Sequence, residues 1–72
     1  MSNHTNGQYV ICGGSDQYWE GTDATTLRGA KCIASRTYQP AVGGKIEVAI
    51  VRGEQYEVAA VKYGYDAWAS AY

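Results

Sequence analysis

Seventy-two residues carrying six basic and seven acidic side chains, for a net charge of −1, make one small domain with no global field to draw it toward nucleic acid or an anionic membrane. No apolar run approaches the roughly 20 residues that span a bilayer, and the opening MSNHTNGQ has neither a basic n-region nor an apolar h-region, so the reading is an intact cytosolic protein. A chain of this size buries only about 60% of the surface its unfolded form exposes, so the core must be small.

Residues 1–7 are polar and read as a flexible N-terminus holding the only histidine, His4; residues 8–72 read as a single α+β domain. Gln8–Gly13 is a β-branched and aromatic run, with Tyr9 and Ile11 on one face and Val10 and Cys12 on the other, ended by the turn cluster Gly13-Gly14-Ser15-Asp16. Gln17–Gly21 either returns as a second strand or joins Gly14–Thr22 in an acidic aromatic loop carrying Asp16, Tyr18, Trp19 and Glu20.

Asp23–Gln39 is the one segment with apolar residues at helical spacing over more than three turns. Leu27, Ala30, Ile33, Ala34, Thr37 and Tyr38 fall on one side, and Arg28, Lys31, Cys32, Ser35, Arg36 and Gln39 on the other. Asp23 or Thr22 supplies an N-cap oxygen, and Pro40 cannot continue the ladder. Ala30 and Ala34, with Gly29 beside them, allow the helix to approach a sheet closely.

After a connector at Pro40–Gly44, Lys45–Val51 alternates strictly, with Ile46, Val48 and Ile50 opposed to Glu47, Ala49 and Val51. Arg52-Gly53-Glu54 reads as a three-residue turn into Gln55–Tyr63, in which Tyr56, Val58 and Ala60 share a face. That loop sets Ile50 opposite Tyr56, Val48 opposite Val58 and Ile46 opposite Ala60, with Glu47 beside Ala59 on a solvated, mildly acidic outer face. Gly64–Tyr72 is either a short helical turn or a final edge strand, and Trp68 covers the open end of the core in either form. The sum is an α+β fold of order β(β)-α-β-β, one α-helix packed on a small antiparallel β-sheet, with Leu27, Ala30, Ala34, Tyr38, Ile46, Val48, Ile50 and Val58 in its core.

Catalytic chemistry finds little purchase in these residues. A nucleophilic Ser or Cys needs a base within reach, and His4 sits in the mobile start of the chain. Glu47, Glu54 and Glu57 lie on a solvated strand face and its turn rather than in a shielded cleft. Cys12, Cys32 and His4 lack metal-ligand spacing, and neither Gly13-Gly14 nor Gly43-Gly44 opens a phosphate loop, so no metal and no cofactor is expected. Cys12, in a strand beneath the helix, and Cys32, on the polar side of the helix, read as reduced thiols.

Surfaces remain. Seven Tyr and two Trp with no Phe is a composition that favours interfaces, since both residues join an apolar body to a polar tip. Arg28, Lys31 and Arg36 form a basic stripe along the exposed side of the helix, fit for phosphates or an acidic protein face. Asp16, Tyr18, Trp19 and Glu20 form a patch of opposite sign, and this loop is the preferred partner-binding surface, with Trp19 as its anchor.

The block TLRGAKCIASRTYQ followed by GGKIEVAIVRGEQYEVAAVK resembles a pattern of small bacteriophage proteins, in which a strand leads to a helix with a small-residue "AK..AS" core and then to a β-hairpin. The layout over residues 8–63 is similar to that of some anti-CRISPR proteins, phage inhibitors of the bacterial crRNA-guided surveillance complex. Its motif here is Ala30, Lys31, Ala34 and Ser35. The resemblance implies a phage or mobile-element origin, a protein partner in the host cytoplasm such as a type I CRISPR-Cas surveillance complex, and no catalytic residue. Against a lysine-rich groove of such a complex, the acidic aromatic loop has an evident counterpart. The alternative is a small phage nucleic-acid-binding or regulatory protein, using the basic helix face for phosphate contacts and exposed Tyr or Trp for stacking.

Overall fold

β-branched residues at alternate positions of Lys45–Arg52 make the central strand of the sheet, with a strand paired on each side of it and the helix across it. The computed structural model describes residues 4–13, 18–38 and 44–70. Its elements are β1 (Tyr9–Gly13), β2 (Glu20–Gly21), α1 (Leu27–Thr37), β3 (Lys45–Arg52), β4 (Gln55–Tyr63) and β5 (Ala69–Ser70). The strands form one five-stranded sheet of order β2-β1-β3-β4-β5, antiparallel throughout, so the fold is α+β with a single helix on an antiparallel sheet. The doubtful segment before the helix does pair, over Glu20–Gly21, and the last stretch ends as an edge strand.

The helix starts later than its apolar period suggests. Thr26, not Asp23 or Thr22, is the N-cap: its backbone is extended and its Oγ1 accepts from the Gly29 amide at 3.1 Å. The Thr22 hydroxyl is otherwise engaged, donating to the Tyr9 carbonyl at 2.9 Å. The helix closes at Tyr38, whose amide donates to the Ala34 carbonyl at 2.8 Å; Gln39 and Pro40 lie outside the described residues.

The hairpin register differs from the one expected. A two-residue loop, Gly53-Glu54, joins β3 to β4 and pairs Arg52 with Gln55, Val51 with Tyr56, Ile50 with Glu57 and Ala49 with Val58. Gly53 sits at φ 64° while no described non-glycine residue has positive φ, the pattern of a turn that needs glycine at its first central position. Below this the register shifts: Val48 pairs with Ala60 and Glu47 with Val61, leaving Ala59 as an extra residue on β4. Such a bulge inverts the alternation of the strand that carries it. Tyr56 and Val58 therefore face one side of the sheet and Ala60 the other, so the three do not share a face.

Two cores result. Under the helix, Ile11, Ile46, Val48 and Ala60 pack against Ala30 and Ala34, both fully buried, with Tyr9, Leu27, Ile33, Tyr38 and Trp68 half-buried around them. On the opposite face, Val10, Ala49 and Val51 are sealed by Trp19, Tyr56 and Val58. Val58 thus belongs to the second core, and Ile50 is half-buried rather than central. Val10, Ile11, Val48 and Val51 are the largest fully buried side chains, each worth about 1.5–3 kcal/mol of burial. Cys12, next after Ile11 and paired with Glu47, lies in a strand beneath the helix with its side chain on the opposite sheet face, as the alternation predicts.

Of the N-terminal segment, residues 4–7 are described, and they meet β3 and β4 at the hairpin tip. Gly7 N donates to the Val51 carbonyl at 2.7 Å, the Gly53 amide donates to Asn6 Oδ1 at 2.9 Å, and His4 Nδ1 lies 3.1 Å from the Tyr56 hydroxyl.

Candidate binding surface

Trp19 and Glu20 are neighbours in sequence and part company in space. Trp19 is half-buried on the second core, stacked on Tyr56 with ring centroids 5.5 Å apart at 29°, and the His4 ring meets Tyr56 edge-on at 5.8 Å. Glu20 turns to the helix side, where its Oε2 accepts from the Tyr38 hydroxyl at 3.0 Å. Alternation along an extended chain forces this split, and the sheet's second apolar face, uncovered by any helix, draws the indole onto it. Tyr18 is 81% exposed, and Asp16 lies outside the described residues. The structure therefore does not gather Trp19 and Glu20 into one patch, and it gives Trp19 a place in the second core rather than that of a free anchor.

The helix stripe is assembled, with an addition. Arg28, Lys31, Cys32, Ser35 and Arg36 line an open groove of ≈ 520 Å³ whose other wall is Trp68. Trp68 reaches it because β5 pairs with β4 at Ala60 and Val61, and Ala60 lies directly beneath the helix. The indole Nε1–H donates to Ser35 Oγ at 3.3 Å, which fixes the ring against the helix. From sequence, Trp68 reads as a core cover. Only the pairing of β5 makes it a groove wall as well. Of the "AK..AS" motif, Ala30 and Ala34 pack into the first core while Lys31 and Ser35 line the groove.

Among the described residues no carboxylate pairs with the groove cations. No acidic residue occurs in Leu27–Thr37. Among the described residues the ion pairs are Lys45–Glu47 at 2.6 Å and Arg52–Glu57 at 3.6 Å, and neither involves the helix. The Glu47 carboxylate, by its hydrogen bond and its charge, raises the pKa of Lys45.

No family model, curated protein or solved structure matches this chain. The site must be read from its own chemistry. The arginine fork and the lysine ammonium are donors without acceptor capacity, and the Trp68 N–H is already spent on Ser35. Cys32 is exposed and Cys12 half-buried, and neither is in a disulfide. His4 lies with Tyr56 on the sheet face opposite the helix, so the sheet separates the imidazole from Cys32 and Ser35. Among the described residues, no three of His, Cys, Asp and Glu come together in a way that would hold a metal ion. No helix among the described residues is long and apolar enough to cross a membrane.

Proposed function

We propose that this chain is a non-enzymatic binding protein that meets its partner through the α1 groove of Arg28, Lys31, Cys32, Ser35, Arg36 and Trp68. The observation that carries the reading is the convergence of three helix cations, in no ion pair among the described residues, with an indole in one open groove. Interfaces favour Arg and Trp for this reason: each brings a large contact area and a polar or charged tip. The identity that best accommodates the reading is a phage or mobile-element anti-CRISPR, inhibiting a type I CRISPR-Cas surveillance complex in the host cytoplasm by direct protein–protein contact. Its support is the resemblance in layout to such inhibitors that the sequence carries over residues 8–63. The partner surface then has to be acidic, in place of the lysine-rich groove that suited the loop Asp16, Tyr18, Trp19 and Glu20. Affinity purification of the tagged chain from cells carrying such a complex tests the reading: co-elution of the complex supports it, and elution of the chain alone counts against it.

A second reading rests on the same groove. Arg28, Lys31 and Arg36 beside Trp68 also suit a nucleic-acid-binding or regulatory protein that grips phosphates and stacks a base. With a net charge of −1, bare duplex has little long-range attraction to the whole chain. Tight, salt-sensitive binding of duplex in a gel shift would favour this reading over the first.

A further inference from the structure

We infer that the α1 groove takes a short acidic segment of a partner protein, one apolar side chain lying against Trp68 between carboxylates held by Arg28 and Arg36. This rests on the protein-binding reading above and specifies its ligand.

Length sets the first limit. Arg28 and Arg36 are two turns apart on the exposed side of the helix, about 12 Å along the axis at roughly 1.5 Å per residue. An extended peptide rises about 3.3 Å per residue and shows alternate side chains on one face, so carboxylates four residues apart match that spacing with one side chain midway between them. Lys31 flanks the midpoint and Cys32 occupies it. The groove volume of ≈ 520 Å³ suits a few side chains, not a long polymer.

Hydrogen-bond capacity sets the second. The lining offers guanidinium and ammonium donors and the Ser35 hydroxyl, whose oxygen already accepts from the Trp68 indole. A nucleobase edge presents donors as well as acceptors, and those donors would go unmet among such groups. A carboxylate asks only for donors. Arginine meets it bidentately, and the Trp68 ring asks only for an apolar neighbour.

Charge sets the third. Beyond the helix stripe the chain is acidic on balance, with Asp23 before the helix and Asp66 just ahead of Trp68. A polyanion running past the groove would meet these charges, while a short segment would end before them.

The experiment is a titration of the ¹⁵N-labelled full chain, followed through the two indole cross-peaks, assigned with Trp19→Phe and Trp68→Phe. The probes are an acidic peptide of about nine residues in which Asp and Leu take turns at every second position with Ser between them, so that Asp, Leu and Asp share one face, its Asn-for-Asp counterpart, and a thymidine oligonucleotide of about nine units. The acidic peptide is expected to shift the Trp68 indole and the amides of residues 28–36, leave the Trp19 indole in place, and bind about tenfold more tightly than the Asn peptide. Added salt, and Arg28→Gln with Arg36→Gln, should each remove that advantage, while an unchanged amide spectrum shows the variant folded. Equal binding of the two peptides, shifts centred on Trp19, or tighter binding of the oligonucleotide than of the acidic peptide would overturn the inference. Co-purification of a surveillance complex equally well by wild type and the double Gln variant would overturn the groove while leaving the protein-binding reading intact. Selective binding of the acidic peptide with no complex recovered would do the reverse.

Discussion

Trp19→Ala and Tyr18→Ala, adjacent substitutions in one short segment, should separate sharply in stability. Trp19 is half-buried over Val10, Ala49 and Val51 and stacked on Tyr56, whereas Tyr18 is 81% exposed. About half of the roughly 200 Å² a tryptophan can bury is about 100 Å², worth about 2.5 kcal/mol at about 25 cal/mol per Å². The stacked pair adds about 0.5–1.5 kcal/mol, for a total of about 3–4 kcal/mol. A domain of this length has about 4–11 kcal/mol of stability, so the loss is a large share of the whole. Tyr18→Ala should stay within about 0.5 kcal/mol of wild type. Urea unfolding followed by far-UV circular dichroism reads both: with a slope near 1 kcal/mol per molar, Trp19→Ala should lower the midpoint by about 3 M. A midpoint within about 0.5 M of wild type, or equal losses for the two variants, would refute the placement of Trp19 in the second core.

Gly13→Ala would place a methyl 2.6 Å from Tyr38 Cγ, displacing the ring and its hydrogen bond to Glu20, at a cost of about 1–3 kcal/mol in the same urea assay. Leu27→Ala, half-buried at the first turn of the helix, should cost about 1–2.5 kcal/mol, roughly half the loss of a fully buried leucine, measured as a fall in thermal midpoint. Deleting Ala59 removes the bulge and leaves Val58 opposite Ala49 and Ala60 opposite Val48, each on the face it already occupies, so the variant should keep the dispersed amide spectrum of the folded chain, whereas collapse of that spectrum would contradict the assignment of Ala59 as the extra residue. Arg28→Glu with Arg36→Glu, both exposed, should leave the urea midpoint within about 1 kcal/mol of wild type.

Period-2 and period-3.6 patterns carried most of the fold into view. β1, β3, β4 and the helix were legible from Tyr9–Gly13, Lys45–Val51, Gln55–Tyr63 and the Ala30–Ala34 stripe, because each carries a run of apolar residues at its own period. The register was not. A Gly-Glu pair between alternating runs was the signal for a two-residue loop, yet Arg52 reads equally well as a turn residue or as the last of its strand. No local pattern announces the Ala59 bulge, since Ala59 and Ala60 are both small and both buried, and the inversion shows only in where Val58 and Ala60 point. The second core was missed for a related reason. Val10, Ala49 and Val51 lie on faces that one helix cannot cover, and they are sealed by Trp19 from a segment whose charges suggested solvent. At the candidate site, Arg28, Lys31 and Arg36 were visible as a stripe. Trp68 was not visible as their neighbour, because it arrives through a strand pairing of only two residues between distant parts of the chain.

The central claim is that the α1 groove is where this protein meets its partner. Tagged wild type, Tyr18→Ala and Arg28→Glu/Arg36→Glu, each verified as folded, should be passed over lysate containing a type I surveillance complex and the retained complex measured by quantitative mass spectrometry. The account predicts equal retention by wild type and Tyr18→Ala, and loss of at least about tenfold with the charge reversal. Full retention by the reversed helix, or retention by none of the three, would contradict it.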